Sequence, residues 1–173
     1  MGRKEAPDLL ILLQMLLVNV KLVTPQPMCD RRVLNNYITA ATDEDNVMNV
    51  ACDFPEDVIL PEPSMNMEWR KLQISQQRAE VQQGITLFIN TVPTVTKFLS
   101  DCHLQLSLQK FSSRAQTMKN ILDRINVKAD VNVSDRQGRT FAARTLKQFY
   151  AVYKNFLQGK YRAFMISACA QNR

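Results

Sequence analysis

The 173-residue sequence contains a single histidine and only four glycines, and these shortages exclude several kinds of active site. With His103 as the only imidazole, a histidine-rich metal site is impossible. No glycine-rich phosphate-binding loop is present. Cys102 and His103 are adjacent, and adjacent side chains rarely face each other as a nucleophile and its base. We therefore predict that the chain is not an enzyme and that it needs no metal and no cofactor.

Dense clusters of basic charge are also lacking. The net charge is +6 at pH 7, but the basic residues are dispersed along the chain and are not interleaved with aromatic residues. We therefore expect no nucleic-acid partner. A solvated basic surface that steers the protein toward an acidic partner is the better interpretation. The acidic run Asp43-Glu44-Asp45 is more typical of a solvated helix face than of a metal site.

No apolar run is long enough to cross a bilayer, which takes about 20 residues. The run Leu9–Val20 follows a short basic start and has the length of the apolar core of a secretory signal peptide, about 7–15 residues. We predict a signal peptide over 1–24, with a poorly defined cleavage site near Thr24, and a single domain over 25–173. A buried core helix is the alternative for this run. A secreted chain would hold its cysteines in disulfides.

Apolar residues recur at helical spacing in four segments, which predicts four amphipathic helices. The first runs from about Asp30 to Ala51, and the second starts near Glu68 and reaches Pro93, which should stop or kink it. The third carries Leu104, Leu108, Phe111, Ala115, Met118, Leu122 and Ile125. The fourth carries Leu146, Tyr150, Tyr153, Leu157, Tyr161, Phe164 and Ala168, widened by Phe149 and Phe156. No strand-like alternation of comparable length competes, so we predict an all-α bundle.

The connections between these helices differ in length. The segments 52–66 and 127–140 are long, whereas only a few residues separate the second helix from the third. A short link joins antiparallel neighbours, and a long one allows parallel neighbours. The lengths therefore predict an up-up-down-down bundle with two long overhand crossovers.

Four cysteines allow three pairings, and this topology selects one of them. Cys29 and Cys52 lie at opposite ends of the first predicted helix, roughly 30 Å apart at 1.5 Å per residue. A disulfide spans only about 7 Å between Cα atoms. In the predicted topology Cys52 shares one pole with Cys102, and Cys29 shares the other pole with Cys169. We predict the disulfides Cys29–Cys169 and Cys52–Cys102; four free buried thiols are the alternative.

Two motifs near opposite ends of the predicted domain carry a family resemblance. The segment Pro27-Met28-Cys29-Asp30-Arg31-Arg32-Val33-Leu34 and the segment Asn155-Phe156-Leu157-Gln158-Gly159-Lys160-Tyr161-Arg162 resemble the first-helix and last-helix signatures of the erythropoietin/thrombopoietin family of helical cytokines. The resemblance implies a secreted, extracellular, monomeric long-chain cytokine. It also implies that one molecule pairs two copies of a single-pass class I cytokine receptor, with no membrane insertion after signal cleavage.

Within the family, three features resemble the thrombopoietin branch. They are a cysteine, Cys102, before the third helix, the opening Glu68-Trp69-Arg70 of the second helix, and the run Gln137-Gly138-Arg139-Thr140 in the last crossover. We therefore expect the thrombopoietin receptor as the partner and growth of platelet-forming precursors as the outcome. The alternatives are an erythropoietin-like hormone that acts on red-cell precursors and an antagonist that occupies one receptor through a single face.

The resemblance also implies two receptor-binding faces. The first comprises Asn155, Phe156, Gly159, Lys160 and Arg162. The second comprises Asp30, Arg32, Val33 and Tyr37, to which Ser113, Gln116 and Thr117 of the third helix are added by position alone. Gln158 stands where the family has an arginine. For each of these residues an ordinary solvated position is the alternative.

Two further residues of the sequence carry predictions. Gly159 costs a helix about 1 kcal/mol relative to alanine, so we expect either a close approach by another backbone or simple tolerance. Asn132 begins the only Asn-x-Ser/Thr sequon, in the polar second crossover, and we predict that it carries an N-linked glycan.

Overall fold

The computed structural model describes residues 27–43, 52–99, 104–125, 127 and 138–171. The predicted signal peptide, Cys102 and the predicted glycan acceptor Asn132 lie outside these described residues. Within the described ranges, no helix is both long enough and apolar enough to cross a membrane.

The helices form an up-up-down-down bundle, as the connection lengths predicted. In chain order they are α1 (Arg31–Thr42), α2 (Met67–Arg70), α3 (Ile74–Phe98), α4 (Gln105–Asp123), α5 (Leu146–Phe156) and α6 (Arg162–Gln171). A 3-10 turn, Pro27–Cys29, precedes α1, and a π-helical turn, Leu157–Tyr161, joins α5 to α6 as one C-terminal helix over 146–171. Both α1 and α3 pack against α4 and against the C-terminal helix, which places α1 and α3 at opposite corners.

Helix α1 is shorter than predicted. It begins at the N-cap Asp30, whose carboxylate accepts a hydrogen bond from the backbone nitrogen of Arg32 at 2.7 Å. It ends at Thr42, because Asp43 has an extended backbone and its carbonyl accepts a hydrogen bond from Arg114 of α4 at 2.5 Å. That bond satisfies a carbonyl at the open end of the helix. Residues 44–51, over which the helix was expected to continue, lie outside the described part of the chain.

The second predicted helix is in two pieces and extends further than expected. A break of three residues, 71–73, separates α2 from α3. Pro93 was expected to stop or kink the helix, but α3 continues through Pro93 to Phe98. The turns after Pro93 are held by tertiary packing, since Val95 is fully buried and the ring of Phe98 lies 5.9 Å from that of Phe54. Packing of this kind outweighs the single backbone hydrogen bond that proline removes.

A two-stranded antiparallel ribbon, which the sequence did not predict, joins the two crossovers. Strand β1 (Asp53–Pro61) pairs with β2 (Thr140–Thr145), with Val58 opposite Ala143 and Leu60 opposite Phe141. Val58, Leu60 and Ala143 are buried, and the ribbon packs on α3 and α5. The bundle therefore carries one small sheet, built from segments that were expected to be irregular.

The four amphipathic faces meet in one core, as predicted. Every core residue expected in α4 and in the C-terminal helix is buried except Leu104, which is half-buried. Aromatic rings lie at the centre: Phe111 is 4.5 Å from Tyr153, and Phe88 is 5.0 Å from Tyr153, between ring centroids. Such pairs each contribute about 0.5–1.5 kcal/mol beyond their buried area.

The disulfide within the described residues agrees with the predicted topology. Cys29 is bonded to Cys169, with 5.4 Å between their Cα atoms, and this confirms that α1 starts at the pole where α6 ends. Cys52 is buried and also disulfide-bonded. Its predicted partner, Cys102, lies outside the described residues, so the second pairing stays a prediction.

Candidate receptor-binding surface

The π-helical turn in the C-terminal helix follows from the spacing of its buried residues. After Tyr153 they recur every four residues in two series: Leu157, Tyr161, Met165 and Cys169, and Phe156, Lys160, Phe164 and Ala168. In an α-helix each step of four turns the side chain by about 40° away from its starting direction. A π-turn holds more residues and offsets this drift. The fixed step of four is the signal from which the turn could have been predicted.

The exposed residues of this helix have the same spacing. Lys154, Gln158 and Arg162 occupy one exposed row, and Asn155 lies in the adjoining row. A regular α-helix, with 100° per residue throughout, would place Arg162 in line with Asn155 instead. One additional residue in the π-turn moves the residues after the turn by roughly 100° around the helix axis.

Two of the five residues predicted for the first face do not lie at the surface. Asn155 and Arg162 are exposed and Gly159 is half-buried, whereas Phe156 and Lys160 are almost completely buried. Burial of the phenylalanine follows from the apolar pattern of the helix. Burial of the lysine requires a partner, because an unpaired charge is very unfavourable in a protein interior. The face at the surface is therefore narrower than predicted.

Phe156 packs into a gap that only glycine leaves open. A Cβ atom added to Gly84 of α3 would lie 2.4 Å from Cζ and 2.7 Å from Cε2 of the Phe156 ring. The same ring meets Phe88 edge to face, with 5.6 Å between centroids. Phe156 thus sets the close approach of the C-terminal helix to α3, and Gly84 allows it.

Lys160 is paired with Glu80 of α3 inside the fold. The Nζ atom of Lys160 lies 2.6 Å from Oε1 of Glu80, and the side chains are 4% and 15% exposed. The second crossover lies against this pair, since a Cβ added to Gly138 would come within 3.0 Å of Cγ of Glu80. The ion pair therefore joins α3 to the π-turn beneath the second crossover.

Gly159 lies beneath the first crossover. A Cβ at this position would lie 3.4 Å from the carbonyl oxygen of Pro63 and 3.9 Å from Cγ of Met65. The close approach by another backbone is present, as one of the two explanations for this glycine required. The distance is still an ordinary contact, so the structure does not exclude alanine here.

Two exposed ion pairs anchor the crossovers further. Nε of Arg144 lies 2.6 Å from Oδ1 of Asp57, and Nη2 of Arg139 lies 2.9 Å from Oε2 of Glu68. The hydrogen bond to Asp57, with its charge, raises the pKa of the Arg144 guanidinium. Ion pairs as exposed as these contribute little to stability. We therefore infer that their role is to fix the position of the crossovers.

The C-terminal helix is also tied to α4. The hydroxyl of Tyr161 donates a hydrogen bond to the carbonyl oxygen of Met118 at 2.9 Å. Burial raises the pKa of this hydroxyl, and the nearby Tyr153 and Asp123 raise it further. Tyr161 therefore stays protonated and remains a donor across the physiological pH range.

The surface of the C-terminal helix has charge of one sign. Residues 138–171 contain no aspartate and no glutamate. Lys147, Lys154 and Arg162 are exposed along the helix. Acidic groups on a partner would favour its binding to this basic surface.

The predicted second face lies on α1. Asp30, Arg32 and Tyr37 are exposed, the last at 43%, and Val33 is half-buried. The three positions offered in α4, which are Ser113, Gln116 and Thr117, are exposed as well. Because α1 packs against α4, both helices contribute exposed residues to this side of the bundle.

Candidate metal ligands do not converge in the part of the chain that the structure describes. Over those residues, no group of three or more histidine, cysteine, aspartate or glutamate side chains is placed to hold an ion. Glu68 and Glu80, the carboxylates of the ion pairs described above, are each bonded to a basic side chain.

Comparison with known proteins agrees with the motifs and corrects one expectation. A sequence model described as Erythropoietin/thrombopoietin matches residues 26–172. Erythropoietin of Equus caballus is 32% identical, that of Felis catus 31% and that of Sus scrofa 30%, each covering 98% of this chain and 97% of the relative. All three carry the name erythropoietin, so our preference for the thrombopoietin branch is not supported. The chain belongs to the erythropoietin/thrombopoietin family, whose members are secreted cytokine hormones that bind class I cytokine receptors and are not enzymes.

Proposed function

We propose that this chain is a secreted, erythropoietin-like hormone that acts on red-cell precursors. The observation that supports this most is identity of about 30% to named erythropoietins over nearly the whole length of both chains. In this proposal one monomeric molecule binds two copies of a single-pass class I receptor through two unlike faces. Pairing the two copies activates kinases on the cytoplasmic side.

The first face captures one receptor chain tightly. We assign to it the exposed Asn155, Gln158 and Arg162, together with the stretch of the first crossover near Pro63 that covers Gly159. The lack of acidic residues over 138–171 supports an acidic surface on the receptor side. We propose that Phe156 and Lys160 support this face from within the fold and do not contact the receptor, because both are buried.

The second face recruits the second receptor chain more weakly. Asp30, Arg32, Val33 and Tyr37 of α1 form its centre. The half-exposed ring of Tyr37 supports this assignment, since aromatic side chains with a polar tip are enriched in protein interfaces. Ser113, Gln116 and Thr117 of α4 extend this face by position.

Secretion is part of the same proposal. The signal peptide over 1–24, the domain over 25–173 and a glycan on Asn132 remain predictions of the sequence. A glycan in the second crossover would keep that segment solvated.

The decisive experiment exposes cells that carry one candidate receptor to the purified protein. We expect phosphorylation in cells with the erythropoietin receptor and none in cells with the thrombopoietin receptor. The opposite result would restore the thrombopoietin interpretation that Glu68-Trp69-Arg70 and Cys102 suggested. Binding to either receptor without phosphorylation would identify a single-face antagonist, and no binding to either would reject the proposal.

A further inference from the structure

The strongest unexplained feature of the molecule is a lysine of the family motif that is buried in an ion pair. Lys160 lies on the inner side of the C-terminal helix, and its side chain is 4% exposed. Its ammonium group lies 2.6 Å from the Glu80 carboxylate. A receptor could contact this group only if the pair opened, and opening would leave a buried charge without its partner.

We infer that Lys160 is a positioning residue, which holds the π-turn against α3 through Glu80 and thereby sets where Arg162 stands relative to Asn155 on the receptor-binding face. The inference rests on the proposed function, since it concerns the first receptor-binding face. It removes Lys160 from the receptor contacts and adds Glu80, a residue of another helix, to the determinants of that face.

The location of the ion pair supports this role. Lys160 belongs to the π-turn Leu157–Tyr161, which lies between the exposed residues Asn155 and Arg162. Both crossovers reach the same place, because Gly138 lies against Glu80 and Pro63 lies over Gly159. The pair is therefore the point at which α3, the π-turn and the two crossovers are held together.

The ion pair between Lys160 and Glu80 anchors the π-turn, and through the π-turn it affects the exposed surface. π-turns are rare in proteins, and those that occur are often found at functional sites. If the segment relaxed to α-helical geometry, Arg162 would move by roughly 100° around the helix axis relative to Asn155. Loss of the anchor would thus change the position of Arg162 relative to Asn155 without removing either side chain.

The test is a double-mutant cycle in the complete secreted chain. The variants are Lys160→Met, Glu80→Leu and the two combined, because an apolar pair of similar volume can replace a buried ion pair. Lys97→Met is the matched control, since it removes an exposed lysine of α3, the helix that carries Glu80, at a position in neither proposed face. Capture by one immobilised receptor ectodomain is measured where circular dichroism shows each variant fully folded.

We expect each single change to weaken capture about tenfold or more, and the double variant to bind within about threefold of the parent. Lys97→Met should bind within about threefold as well. A double variant as weak as Lys160→Met would show that the lysine contacts the receptor and would overturn the inference. So would a fully folded Lys160→Met that binds as tightly as the parent, because an effect on stability alone leaves the affinity of folded protein unchanged.

A second readout does not depend on the receptor. Hydrogen exchange of the backbone amides over 157–161 should accelerate in each single variant and return toward the parent rate in the double variant. Unchanged exchange in Lys160→Met would overturn the inference even if no receptor binds. If Lys160→Met does not fold, Glu80→Gln replaces it, because it removes the negative charge at nearly constant volume. Receptor capture and hydrogen exchange over 157–161 are then measured for Glu80→Gln. Failure of the parent to bind any receptor would reject the proposed function alone.

Discussion

Replacing Gly84 by alanine is the change whose effect on stability can be worked out most directly from the structure. The added Cβ would lie 2.4 Å and 2.7 Å from two carbons of the Phe156 ring and 3.3 Å from Cβ of Pro61. Carbon atoms pack best at about 3.5–4.0 Å, so the ring must move by about 1 Å. Phe156 is fully buried and its ring contacts Phe88, which leaves little space for that movement.

Two opposing effects decide the magnitude. Overpacking a well-filled core typically costs about 1–3 kcal/mol. Alanine in place of glycine favours a helix by about 1 kcal/mol. Because the 2.4 Å approach to Phe156 is far inside contact distance, we expect overpacking to exceed the helix gain. Gly84→Ala should therefore lower the free energy of unfolding, by up to about 2 kcal/mol.

Gly159→Ala is the matched control. Its Cβ would meet the carbonyl oxygen of Pro63 at 3.4 Å, an ordinary contact, so the same substitution should leave stability unchanged or raise it by up to about 1 kcal/mol. Urea unfolding followed by circular dichroism, with the disulfides intact, measures both variants. In addition, Phe156→Leu should cost less stability in Gly84→Ala than in the parent, since the two changes share one contact. If Gly84→Ala is as stable as the parent, the packing argument is wrong.

Four further predictions concern processing and the two faces. Mature protein from a eukaryotic secretory host should begin between about 20 and 26, as read by amino-terminal sequencing; cytosolic protein with an intact start would contradict secretion. Treatment with peptide N-glycosidase should lower the mass by one glycan at Asn132, and an unchanged mass from animal cells would count against it. Arg162→Ala should lose receptor capture and signalling together. Arg32→Glu with Tyr37→Ala should retain capture by one receptor chain but lose signalling and compete with the parent; normal signalling at equal occupancy would refute the two-face mechanism.

The helical core was predictable because its signal is local. In α4 the steps of four and three from Leu108 to Ile125 match the buried residues, since apolar side chains spaced in this way share one face of an α-helix. The same local signal located the core face of the C-terminal helix. Connection lengths then sufficed for the topology, because they limit which helices can be antiparallel neighbours.

The ribbon was not predictable from local pattern. Strand β1 contains Pro55 and ends at Pro61, and the longest stretch in which exposed and buried residues alternate is the four residues from Asp57 to Leu60. Its partner, β2, lies about 80 residues further along the chain. Strand preference depends on such cross-strand and packing neighbours, which a single segment does not contain.

The motif over 155–162 contains both buried and exposed residues. Resemblance to the motif alone therefore does not show which of its residues contact a receptor. Two of its inner residues, Phe156 and Lys160, depend on Gly84 and Glu80 of α3, which the motif does not include. Its outer residues meet solvent, and Gln158, which departs from the family's arginine, is one of them. A departure at an outer position changes what a receptor meets and leaves the fold intact. A departure at Lys160 would leave the Glu80 carboxylate without its partner, so it would require a second change on α3. Residues that vary singly in this motif are therefore the better candidates for direct receptor contact.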